Sequence, residues 1–369
     1  MVVRKLRLDG FRNYTDFTAC FSDRVNIIIG NNAQGKTNLI EAIWFLTQGR
    51  SFRARNDREM IGFERNDAVI YADVTTQGRD QTMEARLLRA SRRQFFVNGV
   101  KLKTAAELSG KLRAVLFCPD DLNLVRDGAA VRRRLMDACL CQLRPRYAAI
   151  LAEFNRLLEH KTRILKDYKI KPSLLDTLDD FDARLAALGA ELIHYRSAFS
   201  SRLSEKASAI HFDFSGGVEK LTITYRTVKT VTDVTEKPEE LLKQLLAHQR
   251  EHRRAELESG MCLSGAHKDD LEIHINGQAA RCYASQGQAR TAALSIKLAE
   301  RDIHFHDSGE HPILLLDDVL SELDRSRQQY VLNHIHDGQV FITCCEDARI
   351  GLETGGRLLH IAGGELIGS

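Results

Sequence analysis

The octapeptide Gly30-Asn31-Asn32-Ala33-Gln34-Gly35-Lys36-Thr37 constrains this chain more than any other stretch, because it meets G-x-x-x-x-G-K-[ST] at every specified position. It follows Val25-Asn26-Ile27-Ile28-Ile29, an apolar run of strand length, and precedes Asn38 to Leu46, where apolar residues recur at helical spacing. Strand, glycine loop and helix start turn successive backbone N–H groups onto one anion, so the expected guest is a nucleotide phosphate. Gly30 and Gly35 admit backbone conformations that a Cβ hinders, Lys36 brings an ammonium to the β and γ phosphates, and Thr37 offers a hydroxyl to magnesium. The nucleotide contacts are therefore assigned to Gly30, Asn31, Asn32, Ala33, Gln34, Gly35, Lys36, Thr37 and Asn38. A chance Gly-Lys turn is the plain alternative, and the full motif between strand and helix disfavours it.

A second segment, Ile313-Leu314-Leu315-Leu316-Asp317-Asp318, has the pattern of a strand buried on both faces that delivers two carboxylates at its end. Beside a phosphate loop, Asp317 is expected to hold magnesium and Asp318 to take a proton from the water attacking the γ-phosphate. A third segment, Tyr283-Ala284-Ser285-Gln286-Gly287-Gln288, precedes an amphipathic helix. Ser285, Gln286, Gly287 and Gln288 thus form either a second phosphate-binding helix start or an ordinary serine cap with a flexible glycine.

The order of these segments carries a resemblance. Gly30 to Thr37 as Walker A, Ser285-Gln286-Gly287-Gln288 as signature, Asp317-Asp318 as Walker B and Ser321-Glu322-Leu323-Asp324 as D-loop are similar to the ABC-type, SMC-like ATPases of DNA repair. Leu6 to Tyr14, Gly49 to Arg53, Pro119 to Val125 and Arg132 to Asp137 extend the similarity over essentially the whole chain. The resemblance implies an ABC-type ATPase head of α/β class, with ATP and Mg2+ sandwiched in an ATP-dependent homodimer. Lys36 of one chain would then share each site with Ser285 of its mate. It also implies weak, DNA-dependent ATP hydrolysis, binding to double-stranded DNA at junctions with single-stranded gaps, and the RecR and RecO proteins as partners in recombinational repair. Asp318 stands where transporter-like members have Glu, and Cys344-Cys345-Glu346-Asp347 stand where many carry a switch histidine, so slow turnover is expected. No Q-loop glutamine is evident; Asp120 and Asp121 both stand in that region. A transporter-type ATP-binding subunit is the alternative, but it calls for the histidine and glutamine missing here; a chromosome-structural relative calls for a much longer coiled coil.

Between loop and Walker B, leucines and alanines recur at three and four residues from about 128 to 168 and from 173 to 210, with Ile170-Lys171-Pro172-Ser173 as the break. The spacing predicts a helical hairpin with arms of about 60 Å if unbroken. The ATPase lobe is accordingly expected to be discontinuous, residues 1–118 plus 262–369, around a mainly helical lobe at 119–261. β-formers clustered around Gln-Gly and Asn-Gly turns in the first part predict an antiparallel sheet beside the nucleotide.

Composition adds exclusions. No apolar run approaches the roughly 20 residues of a spanning helix, and eight mostly dispersed cysteines without a C-x-x-C pair suit a reducing cytoplasm. No zinc is expected: His304 with His306, and His334 with His336, could share one side of a strand but lack further ligands at metal spacing. With 53 Lys and Arg against 50 Asp and Glu, a net +3 is no nucleic-acid footprint by itself. Three clusters could track phosphates: Arg50, Arg53, Arg55 and Arg58; Arg89, Arg92 and Arg93; and Arg132, Arg133 and Arg134. A charge run is also an ordinary solvated face.

Overall fold

Alternation of apolar and polar residues near the amino terminus becomes an antiparallel sheet in the computed structural model, which describes residues 1–335, 337–345 and 355–368. β1 (Val2–Phe11) and β2 (Tyr14–Cys20) pair, and β3 (Val25–Ile29) leaves for a second sheet. β4 (Asp67–Thr76), β5 (Arg79–Leu88), β6 (Gln94–Val97) and β7 (Val100–Lys101) complete a six-stranded sheet in the order β2-β1-β4-β5-β6-β7. Gln77-Gly78 and Asn98-Gly99 have positive φ at both residues, the geometry that two-residue hairpin turns require.

The second sheet follows the order β15-β14-β3-β13-β12-β8. Its remaining strands are β8 (Ala114–Phe117), β12 (Ile313–Asp317), β13 (Val340–Cys344), β14 (Arg357–Ala362) and β15 (Glu365–Gly368). All pairs except β14 with β15 are parallel. Every residue of β8, β12 and β13 is buried, the signature of strands covered on both faces. α1 (Lys36–Gln48) leaves the carboxyl end of β3 by way of the glycine loop. Because β13 lies between β3 and β12, Thr343 is in register with Asp317 on one side and Ile28 on the other.

The chain divides into two compact units, Met1–Asn123 with Ala293–Ser369, and Leu124–Ala292. In the second, α2 (Ala129–Leu143) and α3 (Pro145–Asp167) replace the single arm expected over 128–168. Pro145 has no N–H to extend α2 and instead starts α3. α4 (Leu178–Phe214) has 37 residues, about 55 Å at 1.5 Å each, and follows a 3-10 turn at Pro172–Thr177. β9 (Leu221–Arg226) and α5 (Pro238–Ser259) come next. β10 (Asp270–Ile275) pairs with β9 and with β11 (Gln278–Ala279), so residues 262–292 group with the helical unit. The short α6 (Ala280–Tyr283) precedes α7 (Gln286–Ser308), which spans the division, and α8 (Arg325–Asn333) lies in the first unit. Lys161, fully buried on α3, contacts Asp182 of α4 at 2.6 Å and Glu256 of α5 at 2.5 Å, tying three helices together. Among the described residues no helix is long and apolar enough to cross a membrane.

Candidate functional site

The glycine loop is built as its motif requires. A Cβ at Gly30 would lie 2.2 Å from the Ile361 carbonyl oxygen, and Gly35 holds φ +116 with Asn13 and the Tyr14 hydroxyl within 3.0 Å of any Cβ. Lys36 donates to the Gly30 carbonyl and, at 3.0 Å, to the Asn31 carbonyl, so its ammonium is held over the loop that it would share with phosphate. Cys345 Sγ lies 3.8 Å from Lys36 Nζ and 2.9 Å from Asn32 Oδ1. Cys345 directly follows β13, and Glu346 and Asp347 lie outside the described residues.

The amino-terminal hairpin braces the loop. Asn13 Nδ2 donates to the Gln34 carbonyl at 2.9 Å and Asn13 Oδ1 accepts from Asn38 at 2.8 Å, while the Tyr14 hydroxyl donates to the Gly35 carbonyl at 2.9 Å. Arg12 makes two bonds of 2.8 Å to the buried carboxylate of Glu41 on α1, which also accepts from Ser51. The Leu6–Tyr14 and Gly49–Arg53 segments thus owe their place beside the motif to contacts around the helix that follows it.

Walker B meets Walker A directly. Thr37 Oγ1 and Thr343 Oγ1 each donate to Asp317 Oδ1 at 2.9 Å. Burial pushes the Asp317 carboxyl above the ordinary carboxylate range, while the two hydroxyls and the Arg53 charge act the other way. A carboxylate and a hydroxyl, both hard oxygen donors, converge next to the loop, and this donor set suits magnesium. Asp318 takes φ +53; its N–H donates to Thr343 Oγ1 at 2.8 Å and its carboxylate accepts from Ser321 at 3.2 Å. Thr343 is the contributor that motif reading missed, and its only signal was its place at the end of the strand after Walker B. Asp324 of the D-loop segment caps α8 by accepting the Arg327 N–H at 3.0 Å.

Ser285 caps α7 in the second unit. Its N–H donates to Gln288 Oε1 at 2.9 Å and its Oγ accepts the Gln288 N–H at 3.2 Å, a reciprocal capping box. Asp121 turns back onto its own loop, Oδ2 accepting the Cys118 N–H at 2.9 Å, and Asp120 is exposed.

Other sequence candidates change meaning. Arg132 is buried, bound to Asp270 at 2.6 and 2.9 Å and to the carbonyls of Leu124 and Asp127. Arg133 donates to the Asp269 carbonyl at 2.6 Å, so of that cluster only Arg134 is exposed. Arg93 pairs with Asp57 at 2.7 Å and Arg89 clamps the Gly62 and Arg65 carbonyls. Arg50, Arg53, Arg55, Arg58 and Arg92 remain exposed. His304 and His306 sit on α7, not on a strand, where two residues turn about 200°; His304 is buried and its imidazole pushed down to about 3, while His306 is exposed. His334 Nδ1 donates to the Tyr330 carbonyl at 2.7 Å, and His336 lies outside the described residues.

A profile of the RecF/RecN/SMC N terminal domain matches residues 2–353. The DNA replication and repair protein RecF of Alkaliphilus oremlandii is 38% identical over 343 residues, covering 93% of this chain and 93% of that protein. The protein of the same name from Clostridium tetani is 35% identical over 370 residues, with 100% of both chains covered. The structure of the recombination mediator protein RecF-ATP in the RecFOR pathway superposes with a TM-score of 0.90 at 33% identity, over 99% of this chain and 96% of that one. Its RecF-ATPrS counterpart gives 0.91 at 32%, over 99% and 97%. The Smc head domain of Pyrococcus furiosus shares the fold at a TM-score of 0.54 and 17% identity, over 99% and 94%.

Proposed function

We propose a function that starts from kinship: this chain belongs to the RecF family of DNA replication and repair proteins, within the RecF/RecN/SMC group. It is an ATP-dependent DNA-binding protein of recombinational repair, in which ATP joins two copies. Each composite site takes the loop from Gly30 to Asn38 from one chain and Ser285 to Gln288 from its mate, the self-complementary arrangement of a two-fold dimer. The observation that carries this reading is the Thr37–Asp317 hydrogen bond, which brings loop and acidic strand end to one point in a chain of this family.

Lys36 would exchange its carbonyl partners for β and γ phosphate oxygens, and the loop N–H groups would surround the same phosphates. Thr37 and Asp317 are the residues to hold magnesium, which when bound draws charge from the β and γ oxygens. Asp318 accepts the proton of the attacking water. Its short carboxylate, turned toward Ser321, supports slow hydrolysis. ATP-bound dimers hold double-stranded DNA at gap junctions, hydrolysis releases them, and RecR and RecO join in loading recombinase on the gap.

Sedimentation with and without ATP, and with gapped DNA, tests the reading. A dimer that forms only with ATP and then retains gapped duplex is expected; a monomer under all conditions would remove the composite site.

A further inference from the structure

The signature serine is held by more than its own helix. Gln288, which closes the capping box on Ser285, donates through Nε2 to Glu219 Oε1 at 2.7 Å. The other oxygen of that carboxylate, Oε2, meets His211 Nε2 at 3.0 Å. His211 is fully buried on α4, and Glu219 lies on the turn that leads from α4 to β9. The turn is fixed at both sides: the Glu219 N–H donates to Ser215 Oγ at 3.0 Å, and the Lys220 N–H donates to Asn276 Oδ1 at 2.8 Å. On the far side of the serine, Arg126 donates to the Ala284 carbonyl at 3.1 Å.

An amide side chain has two ends of nearly the same shape, and only the oxygen end can accept an N–H. Glu219, which as a carboxylate can only accept, takes the NH2 end of Gln288 and so leaves the oxygen end for the Ser285 N–H. That bond fixes the Ser285 main chain, while Ser285 Oγ accepts the Gln288 backbone N–H at 3.2 Å, so the serine's own hydroxyl hydrogen stays available for donation. That is the state needed to donate to a phosphate oxygen. The face is open: Arg281, Cys282, Tyr283, Ser285 and Gln286 are all exposed, Tyr283 at 71%.

We propose that Glu219, supported by His211, is a positioning residue that orients Gln288 and thereby sets the Ser285 hydroxyl for the γ-phosphate held by a second copy. This inference rests on the composite-site reading above. Glu219 touches no nucleotide itself; it acts through Gln288.

Sedimentation of the full chain with ATP, alongside labelled-ATP binding to the dilute monomer, tests the assignment. Glu219→Ala should bind ATP as a monomer within about twofold of the native chain while its dimer dissociation constant rises about tenfold. Gln288→Glu separates positioning from capping, because a carboxylate three residues after the serine is itself a good cap. Positioning by Glu219 sets two carboxylates against each other in this variant and dimerisation is lost, whereas a defect arising only from capping or from a nucleotide contact of residue 288 is blind to residue 219. Adding Glu219→Gln to Gln288→Glu restores a donor–acceptor pair in the reverse sense, and dimerisation should return to within about threefold of native. This pair keeps side-chain volume, so it decides the matter even where Glu219→Ala folds poorly. Native dimerisation by Glu219→Ala, or a Gln288→Glu defect that Glu219→Gln does not relieve, overturns the inference. Ser285→Arg in the same assay separates the two levels: if it is monomeric, those results strike Glu219 alone, and if it dimerises with ATP the composite site falls as well.

Discussion

Thr37 Oγ1 donates to Asp317 Oδ1 at 2.9 Å, joining residues 280 positions apart in the chain. Thr343 donates to the same oxygen at 2.9 Å and accepts the Asp318 N–H at 2.8 Å, so one strand-end hydroxyl orients both Walker B acids. Parallel register makes this possible, since β13 places Thr343 opposite Asp317.

Thr343→Val should therefore damage metal binding and stability together. Burial already raises the Asp317 pKa above its ordinary 3.8, and the lost hydroxyl, which opposed that rise, shifts it further upward. Magnesium needs the ionised carboxylate, so Mg2+-dependent ATP affinity should fall as pH drops through the raised pKa, and in the variant the fall should begin at higher pH. The folded state holds this proton more tightly than the unfolded chain, so ionising Asp317 costs stability as pH rises from 3.8 through the raised value. The Asp318 N–H also loses its acceptor, a penalty of about 1–3 kcal/mol. Thermal melts and nucleotide titrations across pH check both effects; an unchanged pH midpoint for Mg2+-dependent binding would count against the Thr343 role.

Lys36→Ala should fold and lose ATP. The ammonium's oxygen partners among the described residues are two loop carbonyls, so removing it leaves the strands and α1 intact. ATP affinity should fall at least about tenfold, with ATP-driven dimerisation lost, because no other mobile cation on this loop reaches the β and γ phosphates. Equilibrium binding of labelled ATP measures the first effect and sedimentation the second; native values for both would remove the loop assignment.

The Asp318 test depends on backbone as much as on charge. At φ +53 an Asn is tolerated where most side chains are strained, so Asp318→Asn removes the proton acceptor with little change in fold. Phosphate release should fall by about 10²–10⁴-fold, while ATP-dependent dimers persist longer. Native turnover in this variant would assign the base elsewhere.

How far the residues announced this arrangement differs between its parts. β3, the glycine loop and α1 were legible because motif, strand and helix reinforce one another over 24 consecutive residues, Val25–Gln48. Asp317 was legible as the end of an apolar strand only because a glycine loop elsewhere in the chain gave its carboxylate a use. Thr343 was not, because its partner is set by strand pairing that no local pattern encodes. The α2–α3 break was hidden since leucine spacing continues past Pro145, and the proline's tolerance at a helix start matches its intolerance inside one. Arg132 misled in a different way: a basic triplet looks solvent-facing until Asp270, 138 positions later, is seen to neutralise it. Pairing over such distances depends on topology, whereas helix and turn signals depend on neighbours.

That correction redirects the test of DNA binding. If exposed arginines neutralise backbone phosphates, ATP-bound protein should hold duplexes of unrelated sequence about equally, with log K falling linearly in log salt. Arg55 and Arg92 are exposed, so Arg55→Ala with Arg92→Ala should weaken binding uniformly across sequences and reduce the salt slope by about two if both touch phosphate. Arg132→Ala is the contrast: it strands the Asp270 carboxylate and two carbonyls that the guanidinium now satisfies. It should cost roughly 3–5 kcal/mol of stability, visible as a lower melting temperature without ATP or DNA. Duplex titrations by fluorescence anisotropy across salt, on proteins whose ATP-dependent dimerisation is verified first, separate the two effects. An unchanged slope in the double variant returns Arg55 and Arg92 to the solvated surface, and a strong sequence preference in the native protein would contradict phosphate tracking altogether.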